Sequence, residues 1–546
     1  MKKKSTWRSL WFAPTLALIL MLLGSTVANA VPAIGLTLDN QLVRFDTDTP
    51  ETIISTVPIT GLQTGEFIHG IDYRPDIGQL FGLGSRRRIY TINATTGVAT
   101  PVNNAPFVPA LTGNSFGVDI NPSVNRLRVT SNRDENFRFN PSSGAATVDT
   151  PLAYAAGDPN EGADPNVVGV AYTNNNFSGT SKTTLYGIDY GLDTLVRIGG
   201  INGNPSPNGG QLTTIGPLGV NASQLLGFDI APGTGTAFAV FRGTGGVSRL
   251  YTINLNTGHA TLVGPTTGVS LRGLAIVTVD VFIYAVTADN DLLFFSSVTP
   301  GTITSKTPIT GLRPGETILG LDFRPAAGNQ LFALGSTSRL YRIDQGTGAA
   351  TEVGSGPFSV PLSGSSFGFD FNPTVDRIRV TSDADQNLRL NPDDGTVVSV
   401  DTPLAYAAGD PNEGANPNVV GSAYTNSFFG STTTTLYGID NNLDVLVRQG
   451  GADGQPSPNG GLLTTTGRLT VDAVGPVGFD IVTPVFETSF NFAYASITGN
   501  GGVSRLYTIN LATGKASLVG IIGGSESVVG IAATQSIVIT RPAQEE

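Results

Sequence analysis

The feature that most constrains the fold is a long tandem repeat. The segment ITGLQTGEFIHGIDYRP at Ile59 returns as ITGLRPGETILGLDFRP at Ile309. NPSVNRLRVTS at Asn121 returns as NPTVDRIRVTS at Asn372, so the offset is about 250 residues in both cases. Self-similarity over a whole chain indicates two copies of one structural unit. No Pro/Ser-rich linker separates the copies, and we predict abutting domains at residues 31–279 and 280–546.

Within each copy, a shorter pattern recurs about every 50 residues. It opens with Gly-apolar-Asp, as in Gly70-Ile71-Asp72, and continues through short apolar strands to a turn with Asn or Asp four residues before Gly. The Asx side chain starts such a turn, and Gly takes the positive φ that closes the hairpin. The turns are Asn93/Gly97, Asn140/Gly144, Asn254/Gly258, Asp344/Gly348, Asn391/Gly395 and Asn510/Gly514.

Short strands joined by tight turns indicate an all-β fold, and four per unit in tandem are typical of a β-propeller. Each copy has about five such units if the strand after Val31 is completed by the C-terminal strand LRGLAIV; in the second copy, VVGIAAT plays that part. Such closure removes exposed strand edges. We therefore predict tandem β-propeller-like domains of about five four-stranded blades each. One continuous ring of about ten blades is an alternative, and a β-sandwich or solenoid is a weaker one.

The N-terminal thirty residues have the pattern of a secretory signal peptide. Lys2–Lys4 and Arg8 are positive, an apolar stretch runs from Leu16 to Leu23, and Ala28-Asn29-Ala30 matches a cleavage site. The apolar stretch is too short for a membrane span, and no later segment approaches one. We predict a signal peptide at residues 1–30 and a secreted protein, periplasmic or extracellular. An uncleaved anchor is the alternative.

Composition excludes several classes of function. The chain has 31 Lys+Arg and 42 Asp+Glu, and without the four signal-peptide cations 27 face 42, a net charge of −15. This balance argues against nucleic acid and anionic membrane surfaces as partners. The chain has no cysteine, which excludes disulfides and thiolate chemistry. His69 and His259 correspond to Leu319 and Lys515 in the second copy, so no histidine-based chemistry is common to both copies.

Four motifs together resemble a known family. They are ITGL…GE…GLDFRP, NPxxDRIRVTS, LAYAAGDxN and TTTTLYGID, and the combination is similar to a bacterial family of secreted proteins catalogued as domain of unknown function 4394. The resemblance covers essentially the whole chain after residue 30, with one family domain per copy. It implies export and a propeller-like β fold, and it brings no established activity or catalytic residues.

One loop is spelled identically in both copies, DTPLAYAAGDPNEGA at Asp149–Ala163 and Asp401–Ala415. In a blade it links an outer strand to the next inner strand, so it lies opposite the Asx–Gly turns, on the face where propellers usually bind ligands. Its side chains suit a glycan or a cation; alternatively, its carboxylates cap backbone N–H groups in a rigid turn. The predicted ligand-binding residues are Asp149, Tyr154, Asp158, Asn160 and Glu161, with Asp401, Tyr406, Asp410, Asn412 and Glu413.

A second acidic turn, SNRDEN at Ser131 and SDADQN at Ser382, is expected on the same face. Alternating oxygen-bearing side chains suit Ca²⁺, although the following Gly and the later Glu of an EF-type loop are absent. The alternative is a polar turn bonded to itself. The predicted calcium ligands are Asn132, Asp134 and Asn136, with Asp383, Asp385 and Asn387.

Two further features have a structural and a functional interpretation. Arg126, Arg128 and Arg138, matched by Arg377, Arg379 and Arg389, could grip a carboxylate or sulfate, or pair with the recurring strand-end aspartates across neighbouring blades. The insertion GGINGNPSPNGGQL, matched by GGADGQPSPNGGLL, is typical of a mobile hairpin tip. The Gly-apolar-Asp aspartates recur in most blades, which favours a shared structural role.

We predict an exported, non-enzymatic binding or scaffold protein of the cell envelope or extracellular space, with a glycan, a protein or a cation as ligand. One alternative is a cation-dependent propeller hydrolase or lyase acting on a polysaccharide or lactone through acidic residues. Another is a purely structural surface protein. The sequence predicts no catalytic residue, and calcium is the one candidate ion.

Overall fold

The computed structural model describes most of the chain after residue 30, and the predicted signal peptide lies outside it. Residues 278–280, at the predicted domain boundary, are also outside, so the division into 31–279 and 280–546 stays a prediction. No helix within the described residues is long and apolar enough to cross a membrane. The described ranges are 31–75, 78–103, 105–175, 182–232, 234–243, 245–266, 268–277, 281–484, 490–499, 501–524 and 526–535.

The first copy folds into 21 strands within the described ranges, with two 3-10 helices, Ile201–Gly203 and Pro207–Gly209. The strands are β1 (Pro32–Thr37), β2 (Gln41–Asp46), β3 (Ser55–Pro58), β4 (Ile68–Arg74), β5 (Gln79–Gly84), β6 (Arg88–Ile92), β7 (Ala99–Pro101), β8 (Phe116–Asn121), β9 (Arg126–Ser131), β10 (Asn136–Phe139), β11 (Ala146–Val148), β12 (Ala153–Tyr154), β13 (Val167–Tyr172), β14 (Leu185–Asp189), β15 (Thr194–Ile198), β16 (Gln211–Pro217), β17 (Leu226–Ile230), β18 (Ala237–Arg242), β19 (Ser248–Ile253), β20 (Ala260–Pro265) and β21 (Leu271–Ile276).

The second copy repeats this order over its described residues, with 3-10 helices at Pro325–Ala327, Ala452–Gly454 and Pro458–Gly460. The strands are β22 (Val281–Thr287), β23 (Asp291–Ser296), β24 (Ile303–Pro308), β25 (Ile318–Arg324), β26 (Gln330–Gly335), β27 (Arg339–Ile343), β28 (Ala350–Val353), β29 (Phe367–Asn372), β30 (Arg377–Ser382), β31 (Asn387–Leu390), β32 (Val397–Val400), β33 (Ala405–Tyr406), β34 (Val419–Tyr424), β35 (Leu436–Asp440), β36 (Val445–Gln449), β37 (Leu462–Arg468), β38 (Val477–Val482), β39 (Phe492–Thr498), β40 (Ser504–Ile509), β41 (Ala516–Ile521) and β42 (Val528–Gln535).

These strands form ten sheets, five per copy, and each set of five closes into a ring. The innermost strands of the first copy are β4, β8, β13, β17 and β21; each packs on the next, and β21 returns to β4. In the second copy, β25, β29, β34, β38 and β42 do the same. The prediction that terminal strands complete a blade is confirmed, because β1 pairs with β21 and β22 with β42. The protein is therefore two five-bladed β-propellers, and not one ring of ten.

A glycine at the same level of every inner strand lets five backbones meet around a narrow axis. In the first propeller these are Gly70, Gly117, Gly169, Gly227 and Gly273. A Cβ atom on Gly227 would lie 2.2 Å from the backbone nitrogen of Leu274 on the neighbouring inner strand. Glycine opens the Gly-apolar-Asp pattern because any side chain there would meet a neighbouring strand.

The predicted Asx–Gly turns close the outer hairpins. At Asn93, the side-chain oxygen accepts from Thr95 N and Thr96 N, at 3.0 and 2.8 Å. Gly97 has a φ of +73° and donates its N–H to Asn93 O at 2.8 Å. The two propellers also contact each other, since Asn510 Nδ2 donates to Asp48 Oδ1 at 3.1 Å.

Candidate functional site

The loop that is spelled twice adds a fifth strand to a blade. Between the outer strand β11 and the inner strand β13, its residues Ala153 and Tyr154 form β12, which pairs in parallel with β16 at the outer edge of the fourth sheet. The second copy builds the same arrangement from β33 and β37. Tyr154 is 7% exposed, and its hydroxyl donates to Asp189 Oδ2 at 2.7 Å. The loop therefore connects the third blade to both edges of the fourth blade, the outer edge through β12 and the inner edge through β13.

A buried arginine holds the start of this loop. Arg128, 1% exposed, donates through Nη1 to Asn136 Oδ1 at 2.6 Å and to Asp149 Oδ2 at 2.7 Å. Its Nη2 donates to Asn208 Oδ1 at 2.7 Å, and Arg138 closes a second ion pair with Asp149. The predicted pairing with strand-end aspartates is wrong for Arg128 and Arg138, because their partner is the first acid of the loop.

The second propeller repeats the hydrogen bonds of the buried arginine. Arg379 donates to Asn387 Oδ1 at 2.6 Å, to Asp401 Oδ2 at 2.7 Å and to Asn459 Oδ1 at 2.6 Å. Burial opposes ionisation of Asp401, but hydrogen bonds from Arg389 and Arg379 hold its pKa below the usual value. A network that both propellers share is a structural reason for the loop to have the same sequence in both copies.

The insertion that contains Asn208 joins the antiparallel strands β15 and β16, so it lies at a hairpin tip as predicted. Its predicted mobility stays a prediction. This segment folds into two short 3-10 helices that lie against the loop. Asn136 Nδ2 donates to Pro207 O, and the backbone N–H of Thr150 donates to Asn208 O, both at 3.1 Å. The loop therefore packs on the insertion, and carbonyl groups of the insertion accept hydrogen bonds from the loop and from β10.

The remaining acids of the loop accept hydrogen bonds from the protein. Asp158 accepts from the N–H and hydroxyl of Thr214, both at 2.7 Å, and from Asn160 N at 2.9 Å. Glu161 accepts from Gly157 N at 2.8 Å, and Asn160 Nδ2 donates to Thr214 Oγ1 at 2.9 Å. The equivalent residues Tyr406, Asp410, Asn412 and Glu413 make the same bonds. Their binding of a ligand stays a prediction.

These bonds give Asp158 a measurable effect on stability. Burial opposes ionisation, but donation from Thr214 and Asn160 holds the pKa of Asp158 below its usual value. A lowered pKa adds stability above the unfolded pKa of about 4, which is lost as the pH falls further. We expect Asp158→Ala to lower the free energy of unfolding by about 1–2 kcal/mol at pH 7. Urea denaturation at pH 7 and pH 3 checks this, and an equal loss at both pH values would contradict it.

In the predicted calcium turn, the asparagine oxygens are engaged in different directions, whereas Oδ1 of Asp134 and Oδ1 of Asp385 are buried without a hydrogen-bond partner. Asn132 Oδ1 accepts from Asn114 N at 3.0 Å, whereas Asn136 Oδ1 faces the guanidinium of Arg128. An oxygen beside one cation is a poor ligand for a second. Asp383 and Asn387 are held likewise by Ser365 and Arg379. Burial raises the pKa of Asp134 to about 6 and also raises that of Asp385. Calcium binding by this turn stays a prediction.

The described acids come closest together on the propeller axes. Asp72, Asp119 and Asp229 each offer a carboxylate oxygen within 4.8 Å of the others, and each is at most 1% exposed. Each also accepts a backbone N–H of the next inner strand, from Ile120, Tyr172 and Ile276. In the second propeller, the same cluster is Asp322, Asp370 and Asp480.

Burial dominates the electrostatics of these clusters. It raises the pKa of Asp229 to about 7 and that of Asp480 to about 6. Burial and then repulsion from neighbouring acids raise the pKa of the other four well above the usual value; these are Asp72, Asp119, Asp322 and Asp370. Each cluster therefore favours a bound proton or another positive charge.

Sequence reasoning assigned these aspartates a structural role and missed that they meet. The hydrogen bonds that these aspartates accept from the next inner strand serve such a structural role. The available signal was the pattern itself: three inner strands per copy read Gly-x-Asp, and two read Gly-x-Ala, at Ala171 and Ala275 in the first copy. Inner strands of one ring place equal positions at equal depth, so the three acids must share one level of the axis.

A cavity of about 200 Å³ lies at one end of the second propeller's axis. It is at the end where the inner strands begin, which is also where the repeated loop enters β34. Its lining is largely apolar, with serine and threonine at the rim, and the apolar side chains include Leu319, Phe367, Val420, Val477 and Val529.

The first propeller carries different side chains at the corresponding positions. His69 replaces Leu319 and Arg272 replaces Val529, whereas Phe116 matches Phe367. The imidazole of His69 lies 4.5 Å from the Phe116 ring centroid, and the Arg272 guanidinium lies 4.8 Å above the Phe67 ring. Burial lowers the pKa of His69 to about 4, so this imidazole is neutral at pH 7. The first propeller thus has a stack of aromatic and guanidinium groups at these positions, whereas the second has Leu319 and Val529 beside Phe367.

Comparison with known proteins gives a family and distant structural likenesses. The sequence profile of the family described as domain of unknown function (DUF4394) matches residues 41–275 and again 291–532. None of the curated proteins compared with the chain matches it.

Among solved structures, the extracellular domain of the one-component system BT4673 from B. thetaiotaomicron is 12% identical over 88% of this chain and 57% of that chain, with a TM-score of 0.24. PorZ, a surface component of the type-IX secretion system of Porphyromonas gingivalis, is 12% identical over 89% and 66%, with a TM-score of 0.25. The Dos1 propeller is 11% identical over 65% and 90%, with a TM-score of 0.23. Likenesses this distant carry no functional argument; the propeller fold stands on the strand pairing.

Proposed function

Because the chain belongs to the family of domain of unknown function 4394, in two tandem copies, we propose that it is an exported, non-enzymatic binding protein. Its two propellers share one framework and differ at the axial mouth. In this proposal the second propeller receives an apolar group of the ligand in the cavity beside Leu319, Val477 and Val529. The pattern of residues 1–30 supports export.

The difference between the two mouths carries the proposal. A pocket lined by apolar side chains with a few polar groups at the rim is the usual form of a ligand site. In the first propeller, the corresponding positions hold aromatic and guanidinium groups stacked on one another. A planar ring, similar in size to these side-chain groups of the first propeller, is therefore the ligand group that suits the mouth of the second propeller.

The test restores first-propeller residues to the second propeller. We expect 5-fluoroindole, followed by the broadening of its ¹⁹F signal, to bind the full chain and to bind Val529→Arg at least about tenfold more weakly, since each 1.4 kcal/mol of lost apolar contact is a factor of ten. Leu319→His should act in the same direction.

The matched control places the same new side chain on the surface. Val375 is 57% exposed, so Val375→Arg should bind 5-fluoroindole as the unchanged protein does. Melting temperatures of all variants show whether the fold is kept. Equal broadening for the unchanged protein and folded Val529→Arg would place the site elsewhere and overturn the proposal.

A further inference from the structure

The axial carboxylates have the spacing of ligands around a single ion. Calcium–oxygen distances in proteins are about 2.3–2.6 Å, so two ligands of one ion lie at most about 5 Å apart. Asp72, Asp119 and Asp229 come from three different inner strands, and all three offer oxygens within 4.8 Å of one another. The second propeller brings its own three acids to the same spacing.

The clusters lack a protein cation. No described Lys or Arg forms an ion pair with any of the six acids, and the exposed fraction of each acid is 3% or less. Burying an unpaired carboxylate is costly enough that the group either takes up a proton or pairs with a positive charge. Three buried carboxylates at one point raise this free-energy cost further. A bound cation would remove it.

Two buried oxygens of the first cluster have no hydrogen-bond partner. Asp119 is fully buried, and its Oδ2 accepts no hydrogen bond, although Oδ1 accepts from Tyr172 N at 3.3 Å. Asp72 likewise has a buried Oδ1 without a partner, whereas its Oδ2 is held by Ile120 N at 2.6 Å. The backbone thus fixes one oxygen of Asp119 and one of Asp72, and the second oxygen of each is left for a ligand. Asp229 differs, because its Oδ1 accepts from Ile230 N at 2.6 Å and its Oδ2 from Ile276 N at 2.5 Å.

We propose that each propeller holds one hard divalent cation of the calcium class on its axis. Asp72, Asp119 and Asp229 are the ligands in the first propeller, and the ligands in the second are Asp322, Asp370 and Asp480. Carboxylate oxygen alone selects hard cations over those that prefer nitrogen or sulfur. Such an ion would tie three of the five inner strands together at the centre of each ring.

Elemental analysis of the purified full chain tests the proposal. We expect two calcium ions per chain, one in Asp119→Asn, one in Asp370→Asn and none in the double variant. Asparagine keeps the oxygen that accepts Tyr172 N but replaces the second oxygen with an N–H donor. It also removes a buried charge, so the variants are expected to fold. Chelator should lower the melting temperature of the unchanged protein more than that of the double variant, because only a bound ion adds linked stability.

Two outcomes would overturn the proposal, and a matched pair of variants separates them. Asp134→Asn and Asp385→Asn change the acids of the predicted calcium turn and should leave two ions per chain. Loss of calcium from those variants, with Asp119→Asn unaffected, would place the metal in the turn. No calcium in the unchanged protein, together with no shift of its melting temperature on adding calcium or chelator, would mean that the clusters are held by protons.

Discussion

Gly227→Ala is expected to unfold the first propeller or to destabilise it by about 3 kcal/mol or more. The added Cβ atom would lie 2.2 Å from Leu274 N and 2.5 Å from Gly273 C. Both atoms belong to the backbone of β21, which itself is held by β1 on one side and by the axis on the other. Neither strand can move aside without opening the ring. Urea denaturation, followed by tyrosine fluorescence, gives the change in the free energy of unfolding.

A second glycine provides the control for that substitution. A Cβ atom on Gly209 meets no atom within 4 Å, and its φ is not in the left-handed region. Gly209→Ala should therefore change the free energy of unfolding by less than about 0.5 kcal/mol. A stable Gly227→Ala protein with the unfolding curve of the unchanged chain would contradict the close approach of the inner strands.

Arg128→Met and Arg379→Met are each expected to lower the free energy of unfolding by about 3–5 kcal/mol, the usual effect of removing one partner of a buried ion pair. The side chains of Arg128 and Asp149 are 1% and 5% exposed, so the carboxylate cannot exchange the guanidinium for water. Asn136 and Asn208 also lose their donor. Thermal and urea denaturation of the full chain measure the loss.

The neighbouring arginine offers a matched control. Arg126 lies on the same strand and donates to the backbone carbonyl groups of Val124 and Asn125. Arg126→Met should cost about 1 kcal/mol or less. Equal effects of Arg126→Met and Arg128→Met would show that the network does not anchor the loop. Asp149→Asn should reduce the effect of Arg128→Met, because after the single change the buried Asp149 carboxylate keeps only its ion pair with Arg138, whose side chain is 29% exposed.

The fold was predictable because most blades are built from strands that follow one another directly in the sequence. The Asx–Gly turns and the terminal strand closure depend on residues whose spacing in the chain is visible, and both are confirmed by Gly97 and by the pairing of β1 with β21. The family resemblance is confirmed by two tandem matches.

The site was less predictable because its parts meet only after the ring closes. Asp72 and Asp229 are far apart in the chain, and the Gly-x-Asp pattern places them at one level of the axis only once the five inner strands are known to form one ring. The role of the insertion was hidden for a similar reason, since Asn208 of one blade binds Arg128 of the neighbouring blade. Polar residues in the loop suggested an open ligand site, whereas in the fold most of them accept bonds from the protein itself.

Crystals soaked with 5-bromoindole test most directly whether the second propeller binds an apolar group at its axial mouth. We expect an anomalous bromine peak within contact distance of Leu319, Val477 and Val529, and its absence in crystals of Val529→Arg. Bromine peaks only at other sites, or the same peak in Val529→Arg, would contradict it.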